Sequence, residues 1–160
     1  MPSGGGGLPF HFHPRLPDYI TIDASFTLAG FPIAPLIGGG LTFTRQGRIF
    51  VTLETGAGIM GATAGARAGW IDQSKPARAA NLNSFIGKWS EAASAFVPVY
   101  PAPLLAGVGP QVAETWGNPG RTGGSNFATE LGAGVGGGHD LSGIISYSWL
   151  LPPQFGLPGW

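Results

Sequence analysis

The sequence predicts an all-β fold of roughly eight antiparallel strands, laid out as a meander or closed into a barrel, with one short helix between the fourth and fifth strands. Three observations predict it. Apolar and polar residues alternate with period two over several segments, the pattern of a strand with two unlike faces. Those segments are rich in β-branched and aromatic residues. Glycine and proline, 29 and 15 of 160 residues, punctuate the rest. Closure would also remove exposed strand edges, a hazard for a chain with only 10% charged residues.

Tyr19–Leu28 sets Ile20, Ile22, Ala24, Phe26 and Leu28 against Tyr19, Thr21, Asp23, Ser25 and Thr27, which reads as the first strand. A second runs near Leu36–Arg45 and a third near Arg48–Ala57, joined through the glycine-bearing hairpin Arg45-Gln46-Gly47-Arg48. The fourth, near Gly58–Ile71, is mostly glycine and alanine, which suits tight curvature or close approach of another backbone. Asp72–Ala80 is polar and loop-like. Asn81–Glu91 reads as the helix, with Asn81 or Asn83 as N-cap and Leu82, Phe85, Ile86 and Trp89 at helical spacing. Strands resume at Ala95–Tyr100 and Leu104–Trp116. After the loop Asn118–Gly124 come Asn126–Gly137 and Leu141–Leu151, joined across Gly138-His139-Asp140. The expected organisation is a Gly/Pro-rich leader over 1–16, a single domain over 17–151 and a Pro/Gly-rich tail over 152–160.

Composition excludes several functions. Eight basic and eight acidic residues give zero formal charge, which argues against a nucleic-acid partner. The absence of cysteine rules out disulfides, thiolate zinc sites, iron–sulfur clusters and a cysteine nucleophile. No cofactor is expected. The uncharged stretches Ala24–Thr44 and Ala92–Ala113 are long enough to cross a bilayer as helices, but their prolines reject that reading.

Alternation does not say which face is inside, because a membrane barrel turns its apolar face to lipid and a soluble one hides it. The polar faces carry small residues and about one mid-strand charge each: Asp23, Glu54, Arg67, Glu114 and Glu130. These fit an interior charge network in a narrow barrel. Glu54, Glu114 and Glu130 are also candidates for paired-carboxylate chemistry, although any all-β domain offers such pairs. His139-Asp140 is a candidate oriented base, with turn chemistry as the ordinary reading. His11 and His13 share a face if extended and are a candidate half-site for a metal. No nucleophile, base and acid assemble from sequence, so an enzyme is not the expected class. Trp70, Trp89, Trp116 and Trp149 stand near strand ends, where a membrane barrel places interfacial aromatics and a soluble barrel places aromatic plugs, so this feature alone does not separate the two.

The segments Pro17-Asp18-Tyr19-Ile20-Thr21, Gly39–Gly47, Ala68-Gly69-Trp70 and Ala128–Gly134 resemble the variable C-terminal toxin domains of RHS-repeat polymorphic toxins. Gly7-Leu8 resembles the Gly-Leu junction that precedes such tails, while the aspartate-proline element upstream of the junction is absent. The resemblance implies a secreted effector domain, delivered into a target cell from an RHS core and neutralised by a cognate immunity protein. Combined with neutral charge and charge-poor strands, it leads to the expectation of a β-barrel-like element that inserts into or perturbs a lipid bilayer, with oligomerisation as an accompanying expectation. The alternatives are a soluble barrel binding a small apolar ligand and a toxin enzyme using the mid-strand glutamates.

Overall fold

The computed structural model describes residues 15–28, 33–59, 61–71, 79–102, 106–117, 127–137 and 140–160. Nine strands occur among them: β1 (Tyr19–Thr27), β2 (Ile33–Thr44), β3 (Ile49–Ile59), β4 (Ala62–Ile71), β5 (Lys88–Phe96), β6 (Tyr100–Ala102), β7 (Ala106–Gly117), β8 (Phe127–Gly137) and β9 (Asp140–Leu150). One helix, α1 (Ala79–Ile86), lies between β4 and β5, and a 3₁₀ turn, Pro153–Phe155, follows β9.

Eight strands close into an antiparallel barrel in the ring order β1-β2-β3-β9-β5-β7-β8-β4, with β4 pairing back to β1. Of the two arrangements the alternation allows, the closed barrel is the one formed. It is not a sequential meander, because β3 pairs with β9 and β4 with both β1 and β8. The short β6 continues the line of β5 along the start of β7.

Local chemistry sets the boundaries. Gly47, at φ +77°, turns β2 into β3, with its N–H on the Thr44 carbonyl at 2.8 Å. The helix is displaced from the Asn81–Glu91 expectation. It ends at Ile86, the Gly87 N–H bonds the Asn83 carbonyl, and Lys88 (φ 74°) swings the chain into β5. Trp89 and Glu91 therefore lie on a strand. The helical spacing that included Trp89 gives way to pairing of β5 with both β7 and β9. β5 likewise replaces the strand expected at Ala95–Tyr100, and β3 runs on to Ile59 while β4 starts at Ala62, so the third strand is longer and the fourth shorter than expected.

Both mouths of the barrel are stopped by apolar side chains. At one, Leu82, Phe85 and Ile86 of α1 pack on Tyr19, Phe50, Ile71 and Ala128. A side-chain carbon on Gly117 would stand 2.5 Å from the Phe85 ring, so that glycine makes room for the helix. At the other mouth, Leu36 and Phe96 are buried. Arg15, assigned to the leader by composition, is tied to the first mouth. Its guanidinium donates to Asp18 at 2.9 and 3.0 Å and to the Ile71 carbonyl at 2.8 Å. The tail returns over the β2–β3 turn, with the Leu157 N–H on the Gly47 carbonyl and the Trp160 N–H on the Arg45 carbonyl.

Phe85→Ala is expected to cost about 3–5 kcal/mol, the range for deleting a buried aromatic ring, and Gly117→Val to destabilise in the same direction by displacing α1. Denaturant unfolding followed by circular dichroism checks both; an unchanged midpoint for Phe85→Ala would remove the helix from the core.

Candidate functional site

The lumen is the polar part of this molecule. Period-two geometry sends alternate residues to opposite faces, and the burial of each strand shows which face points in. On β1, Tyr19, Thr21, Asp23, Ser25 and Thr27 face the lumen, while Ile20, Ile22, Ala24 and Phe26 face out. On β3, Thr52 and Glu54 face in, whereas Val51 and Leu53 face out. Thr52 is 7% exposed and its neighbour Leu53 59%. Along these stretches polar side chains are buried and apolar ones exposed, while Leu36, Phe50, Phe96 and Ile144 are buried apolar residues.

Hydroxyl pairs from directly opposed residues line this interior, the cross-strand contacts that fix sheet register. They are Thr21–Thr42 (3.1 Å), Ser25–Thr63 (3.1 Å), Thr52–Ser148 (2.8 Å), Ser90–Ser146 (2.6 Å) and Ser94–Ser142 (2.8 Å). Each hydroxyl offers both donor and acceptor, so each pair satisfies one need of its partner without a charge.

Arg67 lies at the centre. Its Nη2 pairs with Asp23 Oδ2 and its Nε lies 3.2 Å from Glu130 Oε2. Glu130 also accepts from the Tyr19 hydroxyl at 2.7 Å and from Thr115 at 2.8 Å. Glu54 lines the same space with Arg67 and Glu130, and has no hydrogen bond among the described residues. Two small cavities, of about 50 and 10 Å³, flank the cluster, and Arg67 and Glu54 line both.

Four of the five charges expected in an interior network therefore converge: Asp23, Glu54, Arg67 and Glu130. Glu114 lies apart, on the outward face of β7, where it accepts from Thr129 Oγ1 at 3.2 Å. This placement separates Glu114 from Glu130 as a catalytic pair. His11, His13 and His139 lie outside the described residues, as does the side chain of Asp140. Among the described residues no three His, Asp or Glu side chains converge as a metal ligand set. Tyr19, Thr115 and Gln111 were not singled out from sequence. For Tyr19 a signal existed, since it shares the face of Asp23 in the first strand's alternation.

Trp70, Trp89, Trp116 and Trp149 all lie on the outward face and at the same end, the end that α1 stops. They belong to an aromatic collar: Trp116–Phe127 centroids are 5.8 Å apart, Trp89–Tyr147 5.0 Å and Tyr147–Trp149 4.9 Å. Trp70 Nε1 donates to the Arg15 carbonyl at 2.8 Å.

These features define a closed eight-stranded antiparallel barrel with a charged, hydroxyl-lined interior and an apolar exterior collared by aromatics at one end. The chain matches no protein-family model, no curated protein and no solved structure.

Arg67→Ala is expected to destabilise the barrel by about 3–5 kcal/mol, because it leaves buried carboxylates without their cation. Tyr19→Phe should cost about 1–3 kcal/mol by removing one donor to Glu130. Thermal unfolding of the two variants checks the order; equal midpoints would mean that the guanidinium does not hold the interior together.

Proposed function

We propose that this chain is a membrane-inserting β-barrel domain. One observation carries the reading: most mid-strand positions that face out are apolar, while the inward face carries the charges and hydroxyls, with Leu36, Phe50, Phe96 and Ile144 as buried apolar residues among them. Ile22, Ile37, Leu53, Val108, Val135, Leu141 and Ile145 are all exposed. Beyond Lys88 at the start of β5, the charges on described outward positions are Glu91 and Glu114, both at the level of the tryptophans, since Glu91 pairs with Trp116 and Thr129 links Glu114 to Trp70. A soluble domain rarely exposes contiguous apolar surface of that extent. In lipid, the same surface is correctly solvated.

Two further features support it. The eight barrel strands are 9 to 12 residues long, and about 9–11 tilted residues cross a hydrocarbon core. Closure pairs every strand on both sides, as the absence of water in lipid demands. That no helix of the described residues is long and apolar enough to cross a membrane leaves this route untouched.

The lumen's cavities of about 50 and 10 Å³ are too small for an apolar ligand, whose pockets run to about 300–1,000 Å³; the apolar groove of about 600 Å³ bordered by Phe26, Ile37 and Val135 opens on the outer belt instead. Among the described residues no open channel runs through the lumen, as an eight-stranded interior is just wide enough for side chains to fill it. Action on a membrane would then come from inserting the barrel. With the resemblance to RHS-repeat toxin tails, the domain is read as an effector delivered to a target cell, its partners being the bilayer and a cognate immunity protein.

Purified protein is expected to float with liposomes in a density gradient, with brominated lipids quenching its tryptophans most strongly when the bromine lies near the headgroups. Leu53→Arg, in the middle of the belt, should weaken insertion by about 2–4 kcal/mol. A monodisperse protein that stays in the aqueous fraction without detergent would sink the proposal.

A further inference from the structure

The zero formal charge of the chain hides an uneven placement. Of its eight acids and eight bases, Asp23, Glu54, Glu130 and Arg67 gather in the lumen, which leaves the rest of the chain two charges positive. The described cations outside the lumen are Arg15, Arg45, Arg48 and Lys88, and all stand at the mouth that α1 stops. Arg45 and Arg48 flank the β2–β3 turn, where Thr44 pairs with Tyr19 beside the helix. Lys88 opens β5 directly after α1.

Arg15 is neutralised by Asp18 at 2.9 Å. No ion pair or side-chain hydrogen bond engages Arg45, Arg48 or Lys88 among the described residues. Lys88 is exposed and the two arginines are half-buried. The three share one arc of the rim, because β9 alone separates β3 from β5 in the ring. The acids at this end lie lower or farther round. Glu91 is further along β5 at the level of Trp116, and Glu114 accepts from Thr129 of β8.

Between its charges the same arc is apolar. The tail folds back onto the turn, with the Leu157 N–H on the Gly47 carbonyl at 2.9 Å and the Trp160 N–H on the Arg45 carbonyl at 3.1 Å. Phe155, Leu157 and Trp160 are left exposed. On the wall beneath, Trp89, Tyr147 and Trp149 meet edge to face. Amphipathic rings settle at the headgroup level of a bilayer. Lys and Arg beside them keep their stems on apolar surface and their charged heads in the polar layer, where phosphates lie.

We propose that this arc is a headgroup-facing surface that selects membranes carrying anionic phospholipids, whose phosphates meet Arg45, Arg48 and Lys88. The inference rests on the membrane-inserting reading and adds to it the class of lipid. A chain of zero formal charge has no overall attraction to an anionic bilayer, so a preference can come only from placement. Each cation near an anionic surface is worth about fivefold in binding, and each anion opposes it. Three cations against Glu91 and Glu114 leave a preference of about fivefold.

The experiment is flotation of the full chain with liposomes of phosphatidylcholine alone or mixed with phosphatidylglycerol, at low salt and at about 0.5 M NaCl, where screening confines charges to a few ångströms. About fivefold tighter binding to the anionic vesicles is expected at low salt, with the difference gone at high salt. Arg45→Gln, Arg48→Gln and Lys88→Asn combined should lose the preference while still binding phosphatidylcholine like the wild type. Asn is chosen because it tolerates the positive φ of Lys88. Equal binding of the wild type to both vesicles overturns this inference and leaves the membrane-inserting reading standing; binding to neither overturns both. A combined variant that keeps the full preference is equally fatal to the inference. If that variant does not fold, the wild type decides, and a preference that survives high salt overturns the proposal.

Discussion

The grip of Asp23 and Glu130 on Arg67 is the interaction from which the rest of the barrel follows. These residues stand on three neighbouring strands, β1, β8 and β4, and can meet only if all three side chains point to the same side. In a strand, one residue's direction decides every other's, because the side-chain period is two. Once Asp23 faces in, so do Tyr19, Thr21, Ser25 and Thr27; once Arg67 faces in, Ala62, Ala64, Ala66, Ala68 and Trp70 must face out. A guanidinium is poorly tolerated in contact with hydrocarbon, so the charged cluster and the apolar belt are two consequences of one choice of face.

The same constraint gives the glycines a purpose. An eight-stranded interior has little width to spare, yet it must hold an arginine, three carboxylates, a tyrosine and a glutamine. Gly65 shows how room is found. It lies opposite Asp23 in the ladder and carries nothing, so that Gln111 can cross from β7 and lie where a side chain would otherwise stand. A composition that resembles a low-complexity linker is, in the lumen, a distribution of long and absent side chains around a narrow ring.

The strands were legible from sequence because alternation is a local property. Tyr19–Thr27 in particular could be read residue by residue, faces included. The direction of those faces was not legible, since a pattern of period two is symmetric under exchange of inside and outside. Glu114 and Glu130 show the cost: both are mid-strand glutamates, yet one faces out beside Thr129 and the other faces in to Arg67. The register of β7 on β8 decides between them, and register is a non-local fact. Ring order is non-local too, which is why the pairing of β3 with β9 had no sequence signal. The helix was misplaced for a different reason. Leu82, Phe85, Ile86 and Trp89 satisfy helical spacing, but only the first three bury their side chains in the barrel mouth, and Trp89 belongs to the alternation of β5.

The barrel is also unequal end to end, and this bears on how it would meet a bilayer. The tryptophan collar, Glu91, Glu114, α1, the Arg15–Asp18 ion pair and the returning tail all gather at one mouth. At the other, described outward residues include Phe26, Ile33, Val97 and Leu141, with no tryptophan and no charge among them. If the domain enters lipid, carrying charged groups and chain ends across the hydrocarbon core would be far costlier than carrying the second mouth, where the strands end in apolar residues. Amphipathic tryptophans are most stable at the headgroup level, so the collar would halt insertion once the belt was covered. The asymmetry thus favours entry by the tryptophan-poor end, with α1 and both described chain ends remaining on the side of approach.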